Sequence, residues 1–148
     1  MRKCLVAIGL IAAFQSVPTM RAEAQTIEVF KSESCGCCGL WVEHLQRNGF
    51  TPKPRNVALG ELARIRSKSG LKPEFQSCHT GMVGGYVIEG HVPASDVKRL
   101  LAEKPDAIGL SVPGMPIGSP GMESGDQREP YEVLLVRRDG TAETFARY

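Results

Sequence analysis

The hydrophobic pattern along the chain changes period several times, and each change marks an element. Thr26 to Phe30 is a short β-type run whose apolar positions are Ile27, Val29 and Phe30. From Gly39 the period lengthens. Trp41 and Leu45 stand four apart, as do Leu40 and His44, and Val42 widens the apolar face, which predicts a helix. Asn48-Gly49 stops it, and Phe50 is the apolar residue that folds back onto its end. Thr51 to Val57 can form a strand, but Pro52 and Pro54 confine it to an edge. Leu59 to Ser69 reads as a second helix, with Leu62, Ile65 and Ala58 or Ala63 on one side and Gly70 at its end. Met82-Val83 and Tyr86 to Ile88 flank Gly84-Gly85, a tight hairpin. Pro93 to Glu103 reads as a third helix, with proline near its start, Asp96 in its first turn and Val97, Leu100 and Leu101 as its stripe.

Residues 106 to about 130 break the pattern. Gly, Pro, Ser and Met dominate, in Val112-Pro113-Gly114-Met115-Pro116 and again in Ser119-Pro120-Gly121-Met122. Few backbone hydrogen bonds are expected there, and a loop this long in a small domain is mobile or functional. The chain closes on a hairpin, Tyr131 to Val136 and Thr141 to Phe145 around Asp139-Gly140. No repeat of domain size is visible. The elements predict a single α/β domain.

The first 24 residues read as an export signal. Arg2 and Lys3 are basic, Leu5 to Phe14 is almost continuously apolar, and Ala22-Glu23-Ala24 fits a small-x-small cleavage site. The apolar run is too short to span a bilayer. The expected organisation is a signal peptide over 1–24 and one exported domain over 25–148, with no stable membrane insertion once the signal is cleaved.

Charge matters only after that cleavage. The full chain has 18 basic and 16 acidic residues. The leader holds three of the bases (Arg2, Lys3, Arg21) and one acid (Glu23), leaving 15 of each. A neutral domain without charge runs argues against nucleic acid or an anionic membrane as partner.

The chemistry sits in the cysteines. Cys4 leaves with the leader, and Cys35, Cys37, Cys38 and Cys78 remain. An even count in an exported chain usually means structural disulfides. Here three of the four crowd the turn Cys35-Gly36-Cys37-Cys38, and a Cys35–Cys38 bridge would close almost no loop. A strand feeding a CxxC turn into a helix is how thioredoxin-like domains present a redox pair. Free N–H groups at that helix start favour thiolate, which is both a nucleophile and a soft-metal ligand. Cys37 favours metal, because a third thiol beside a redox pair invites wrong disulfides, whereas a soft-metal site gains from it. Thiolates and thioethers select Cu(I) and similar ions, while four-thiolate or Cys/His sets also suit zinc.

Further donors lie near these features. His79 adjoins Cys78, and His91 precedes the third helix, in a loop that approaches the CxxC turn in a thioredoxin-like sheet. Met115 and Met122 lie in the Gly/Pro loop, off any periodic segment that would bury them. The candidate metal ligands are Cys35, Cys37, Cys38, Cys78, His79, His91 and Met115. His44 reads first as a half-buried surface histidine, and Trp41 as a packing residue.

These motifs, taken in order, resemble a known family. Cys35-Gly36-Cys37-Cys38 with Trp41 and His44-Leu45, Ser77-Cys78-His79-Thr80, the run Gly85 to Pro93, and Pro113-Gly114-Met115-Pro116 are similar to those of the small exported metal-binding proteins that include the copper-resistance protein CopG. The resemblance spans roughly residues 26 to 147. It implies an α/β, variant thioredoxin-like fold, a mixed sheet with flanking helices and a C-terminal β-hairpin. It also implies a periplasmic role in copper resistance or homeostasis, with other periplasmic copper-handling proteins as candidate partners. A cysteine-bridged cluster of copper ions, Cu(I) in the first instance, is implied at the cysteine turn, with Cu(I)/Cu(II) oxidoreductase activity as a candidate reaction. By position, Cys35, Cys38 and Cys78 lead that cluster, with Cys37 and the nearby histidines behind them. Two other functions remain open on the residues: a thiol–disulfide oxidoreductase in which Cys35 attacks and Cys38 resolves, and a structural zinc module.

Overall fold

A computed structural model describes residues 25–148. The expected leader lies outside the described residues. The chain runs β1 (Thr26–Lys31), α1 (Gly36–Arg47), β2 (Thr51–Asn56), α2 (Leu59–Lys68), a 3-10 turn (Pro73–Phe75), β3 (His79–Val83), β4 (Tyr86–Glu89), α3 (Ala94–Glu103), β5 (Gly109–Ser111), β6 (Glu132–Val136) and β7 (Ala142–Arg147). The strands form one seven-stranded mixed sheet in the order β2-β1-β3-β4-β5-β6-β7. β1–β2 and β4–β5 are parallel, and the other pairs are antiparallel. This is the α/β class expected, with flanking helices and a C-terminal hairpin.

The local rules act where the pattern places them. Pro52 and Pro54 sit in β2, which is an edge strand with a single partner, so their missing N–H groups cost the sheet little. Gly49 takes φ 85° after α1, and the Phe50 N–H donates to the Leu45 carbonyl at 3.1 Å. Phe50 is then buried against the face of α1 that carries Trp41, Val42 and Leu45.

Strand alternation divides the core in two. Val87 and Ile88 are neighbours on β4 and point to opposite faces. Ile88 joins Ile27, Val29, Trp41 and Leu45, together with Val97 and Leu100 of α3. Val87 joins Leu71, Ile108 and Val136, with Phe75 packed beside them. Trp41 is fully buried and its Nε1 donates to the Val92 carbonyl at 2.9 Å. Removing it would cost about 3–5 kcal/mol. It packs as expected.

Three details differ from the pattern. Residues 109–111, expected as loop, form β5, an interior strand of the sheet. Three residues are too few to show a period, and Gly109 is there because a Cβ would lie 1.8 Å from the Val87 carbonyl oxygen. On α2, Ala58 and Ala63 are exposed and Ile65 only half-buried, while Arg66 is buried beside Leu62. The third is a contact of His44, which is half-buried as expected but also caps α3, as described below.

Candidate metal centre

Sheet topology alone brings the distant motifs together. Lys31 ends β1 and pairs with His79, which opens β3. Thr80 pairs with Glu89 at the end of β4, and Glu89 pairs with Ser111 at the end of β5. The segments beyond these strand ends therefore emerge at one end of the sheet. They are the cysteine turn, Ser77-Cys78, Gly90-His91 and the loop from Val112. Some forty residues separate Cys38 from Cys78, yet antiparallel pairing of β1 with β3 makes them neighbours.

The four cysteine sulfurs form one group within 4.8 Å of each other. Cys35 and Cys38 are joined as a disulfide, and Cys37 and Cys78 are free. Cys35 is the N-cap of α1 and offers no side-chain cap, and no acidic residue occupies the first turn. The positive end of the helix is thus left to sulfur. Cys37 Sγ lies 3.5 Å from Cys35 Sγ. Cys78, His79 and His91 form a second group, again within 4.8 Å, so Cys78 belongs to both.

Cys78 is flanked by two imidazoles. Its sulfur lies 3.2 Å from His79 Nδ1 and 3.2 Å from His91 Nε2. His91 Nδ1 is 2.8 Å from the Pro120 carbonyl, an acceptor only, so Nδ1 carries the proton and Nε2 faces Cys78 with its lone pair. Metal-binding histidines are commonly oriented in this way. Both histidines are fully buried. Burial drives the pKa of His79 well below the ordinary value, with the neighbouring His91 adding to the effect. Burial also lowers that of His91. Both rings are therefore neutral near pH 7 and able to ligate. His79 Nε2 is buried without a hydrogen-bond partner, a costly state for a polar nitrogen. The Cys78 thiol is pushed up to about 12, first by burial and then by Cys37.

The Gly/Pro loop closes over this end of the sheet. Pro120 is held by His91, and Gly121 rests on the first turns of α1. A Cβ there would lie 2.7 Å from the Trp41 nitrogen and 2.9 Å from the Cys37 carbonyl. Gly114 is held by the Ser77 hydroxyl, which donates to its carbonyl. Between these anchors Met115 is half-exposed, and Met122 is partly buried.

Of the seven candidate residues, the structure gathers Cys35, Cys37, Cys38, Cys78, His79 and His91, and places Met115 on the covering loop. His44 has a different task. Its Nε2 accepts the Ala94 N–H at 3.0 Å and so caps α3 in place of a Ser or Asp. Sequence reasoning missed that contact. It also missed the ion pair Arg66–Glu89 behind Cys78. The signal was a carboxylate, Glu89, directly following the apolar strand run Tyr86 to Ile88.

A mixed sheet that collects four cysteines and two histidines at one end defines a small sulfur- and imidazole-rich module able to hold a soft metal ion. The profile of a protein family of unknown function, DUF411, matches residues 75–122, which include Cys78, His79, His91 and Met115. No curated protein sequence matches the chain. Two solved structures do, both 42% identical and both covering 85% of this chain. One, "Copper resistance protein copG- Form 2", is covered over 99% of its length with a TM-score of 0.79. The other, "Copper resistance protein copG- Form 1", is covered over 98% with a TM-score of 0.80. The chain belongs to the CopG family.

Proposed function

We propose that this protein binds copper as Cu(I) at the cysteine turn, in copper resistance or homeostasis, and that the ions sit in a cysteine-bridged cluster. Cys35, Cys37, Cys38 and Cys78 supply thiolates, and His79 and His91 supply imidazole nitrogens. One observation carries the reading: Cys78 is common to two donor groups, one of sulfur alone and one of sulfur with two imidazoles. A thiolate shared by two groups is suited to bridge two ions. Two sulfurs on one ion at about 2.3 Å each can stand no more than about 4.6 Å apart, close to the spread of these groups. Neither group includes a carboxylate, and such a donor set suits soft metals over calcium or magnesium. The names of the two solved relatives point to copper among those soft metals.

The disulfide makes the site a two-state one. With Cys35–Cys38 bridged, two thiols remain. Two-electron reduction restores four. Bound copper would supply one-electron Cu(I)/Cu(II) chemistry, the basis for reading the protein as a copper oxidoreductase. Cu(I) competition with a calibrated chelator tests the binding. Affinity no better than that of the Cys35→Ser/Cys38→Ser protein would reject it.

Met115 is half-exposed on the loop held at Gly114 by Ser77 and at Pro120 by His91, and in this reading its thioether receives an incoming ion. In this reading the leader pattern over 1–24 supports export, and the domain works in the periplasm with other copper-handling proteins as candidate partners. Among the described residues no helix is long and apolar enough to cross a membrane. The βαβ unit from β1 to β2, followed by the β3–β4 hairpin and α3, supports the variant thioredoxin-like description. The zinc and thiol–disulfide readings have weaker support. Three ligands on one turn strain tetrahedral closure, and Cys37 lies within reach of the disulfide, where it would scramble a simple redox pair.

A further inference from the structure

The segment that carries Cys78 is held from behind by a buried charge network that copper ligation does not use. Glu89 is fully buried at the end of β4, and Arg66 of α2 is buried beside it. Arg66 Nη2 lies 2.7 Å from Glu89 Oε1 and donates to the Ser77 carbonyl at 2.7 Å. Its Nε donates to Thr80 Oγ1 at 3.1 Å, and Thr80 Oγ1 donates to Glu89 Oε2 at 2.6 Å. Glu89 Oε1 also accepts the Ser77 N–H at 2.7 Å. Both backbone polar groups of the residue preceding Cys78 are thus taken up by one ion pair. The Ser77 hydroxyl reaches the other way, to the Gly114 carbonyl beside Met115. Gly90 allows the closure, because a Cβ there would lie 2.5 Å from the Val112 carbonyl oxygen and 2.7 Å from Ser77 Cβ.

Stability is a poor reason for such a pair. Buried ion pairs are expensive to desolvate, and apolar residues of similar volume often serve stability as well or better. Position is a better reason. Ser77 and Cys78 lie between the 3-10 turn and β3, outside any strand, so no sheet ladder fixes them. We propose that the Arg66–Glu89 pair is a positioning device. It fixes the Ser77–Cys78 backbone and, through the Ser77 hydroxyl, the Gly114–Met115 loop. Cys78 is thereby held within reach of both the cysteine turn and His91 before an ion arrives. The inference rests on the copper reading for the identity of the ion, but its geometry does not.

The test compares the reduced, metal-free full chain with three variants: Glu89→Gln, Ser77→Ala, and the apolar double variant Arg66→Met/Glu89→Leu, which leaves no unpaired charge. Iodoacetamide alkylation of Cys78 is followed peptide by peptide, alongside thermal melts and Cu(I) competition. Loss of such an outer support costs metal sites about 10–100-fold in affinity. The double variant strands the Thr80 hydroxyl and the Ser77 backbone groups, so it is expected to melt somewhat lower while staying folded, to alkylate faster at Cys78, and to bind Cu(I) at least about tenfold more weakly. Ser77→Ala, which removes the link to the loop together with the hydroxyl's 4.0 Å contact to Cys78 Sγ, is expected to weaken Cu(I) binding and to melt as wild type. Glu89→Gln, which removes the charge but little volume, is expected to move alkylation and affinity as the double variant does, and it decides the matter should the double variant fail to fold. Folded variants with unchanged alkylation and unchanged affinity would overturn the proposal. Wild-type protein that binds no copper but keeps the alkylation contrast would reject the copper reading and leave the positioning role standing. Copper binding without any contrast would do the reverse.

Discussion

The Cys78 sulfur lies 3.2 Å from His91 Nε2, and the far nitrogen of that ring is 2.8 Å from the Pro120 carbonyl. A thiol, an imidazole and the covering loop are thus linked in one line. The thiol in that line is a protonated one, because burial raises the Cys78 pKa to about 12. A metal ion must displace its proton. Apparent Cu(I) affinity should therefore rise with pH, about tenfold per pH unit for each thiol deprotonated on binding. Chelator competition at pH 6, 7 and 8 measures the slope. An affinity independent of pH would show that Cys78 is not deprotonated on binding.

The buried histidines make the metal-free fold acid-sensitive. His44, His79 and His91 all have pKa values lowered by burial. A histidine harder to protonate when folded than when unfolded stabilises the fold fully above the unfolded value, near 6.5, and progressively less below it. The melting temperature should be level between about pH 7 and 8, below the unfolded thiol range, and fall from about pH 6.5 downward. In His79→Phe the fall should be shallower. A profile flat to pH 5 would contradict the buried neutral rings.

The disulfide should act as a gate. Protein with Cys35–Cys38 bridged retains two thiols and should bind Cu(I) much more weakly than reduced protein, given the soft-ligand preference of Cu(I). Anaerobic titration of the two forms compares them directly. In the same comparison, Cys37→Ala should lower copper affinity and show only weak insulin-reducing activity. Robust, copper-independent reduction by that variant would move the thiol–disulfide reading to first place.

Much of this arrangement was legible beforehand. Pro52 and Pro54 marked an edge strand, Gly84-Gly85 and Asp139-Gly140 marked the hairpins, and the spacing of Trp41 and Leu45 marked the buried face of α1. The cysteine turn announced itself, because three thiols in four residues have few structural uses. What stayed hidden depends on contacts between segments far apart in sequence. Residues 109–111 carry no period, and their strand exists because β4 and β6 accept them on either side. His44 looked like a surface residue, because its partner, the Ala94 N–H, lies fifty residues away. Arg66 lies one turn beyond Leu62 on the inward face of α2, yet a charge on that face reads as an exception until Glu89 is seen opposite.

The fit of the Gly/Pro loop over α1 can be tested at one position. Gly121 has φ 86°, and a Cβ there would lie 2.7 Å from the Trp41 nitrogen. Gly121→Ala combines left-handed backbone strain with overpacking, and should cost about 2 kcal/mol or more. Thermal denaturation reads that cost. The same variant should weaken copper binding, since displacing the loop withdraws Pro120 from His91. A wild-type melt would mean that the loop does not rest on the helix as described.

The central claim is that Cys78 shares one copper site with the cysteine turn. Anaerobic Cu(I) titration of fully reduced wild-type and Cys78→Ser protein, with bound copper counted per chain, tests it most directly. The wild type should bind more than one ion per chain, and Cys78→Ser should lose copper as Cys38→Ser does. Equal copper content in wild type and Cys78→Ser would contradict the account.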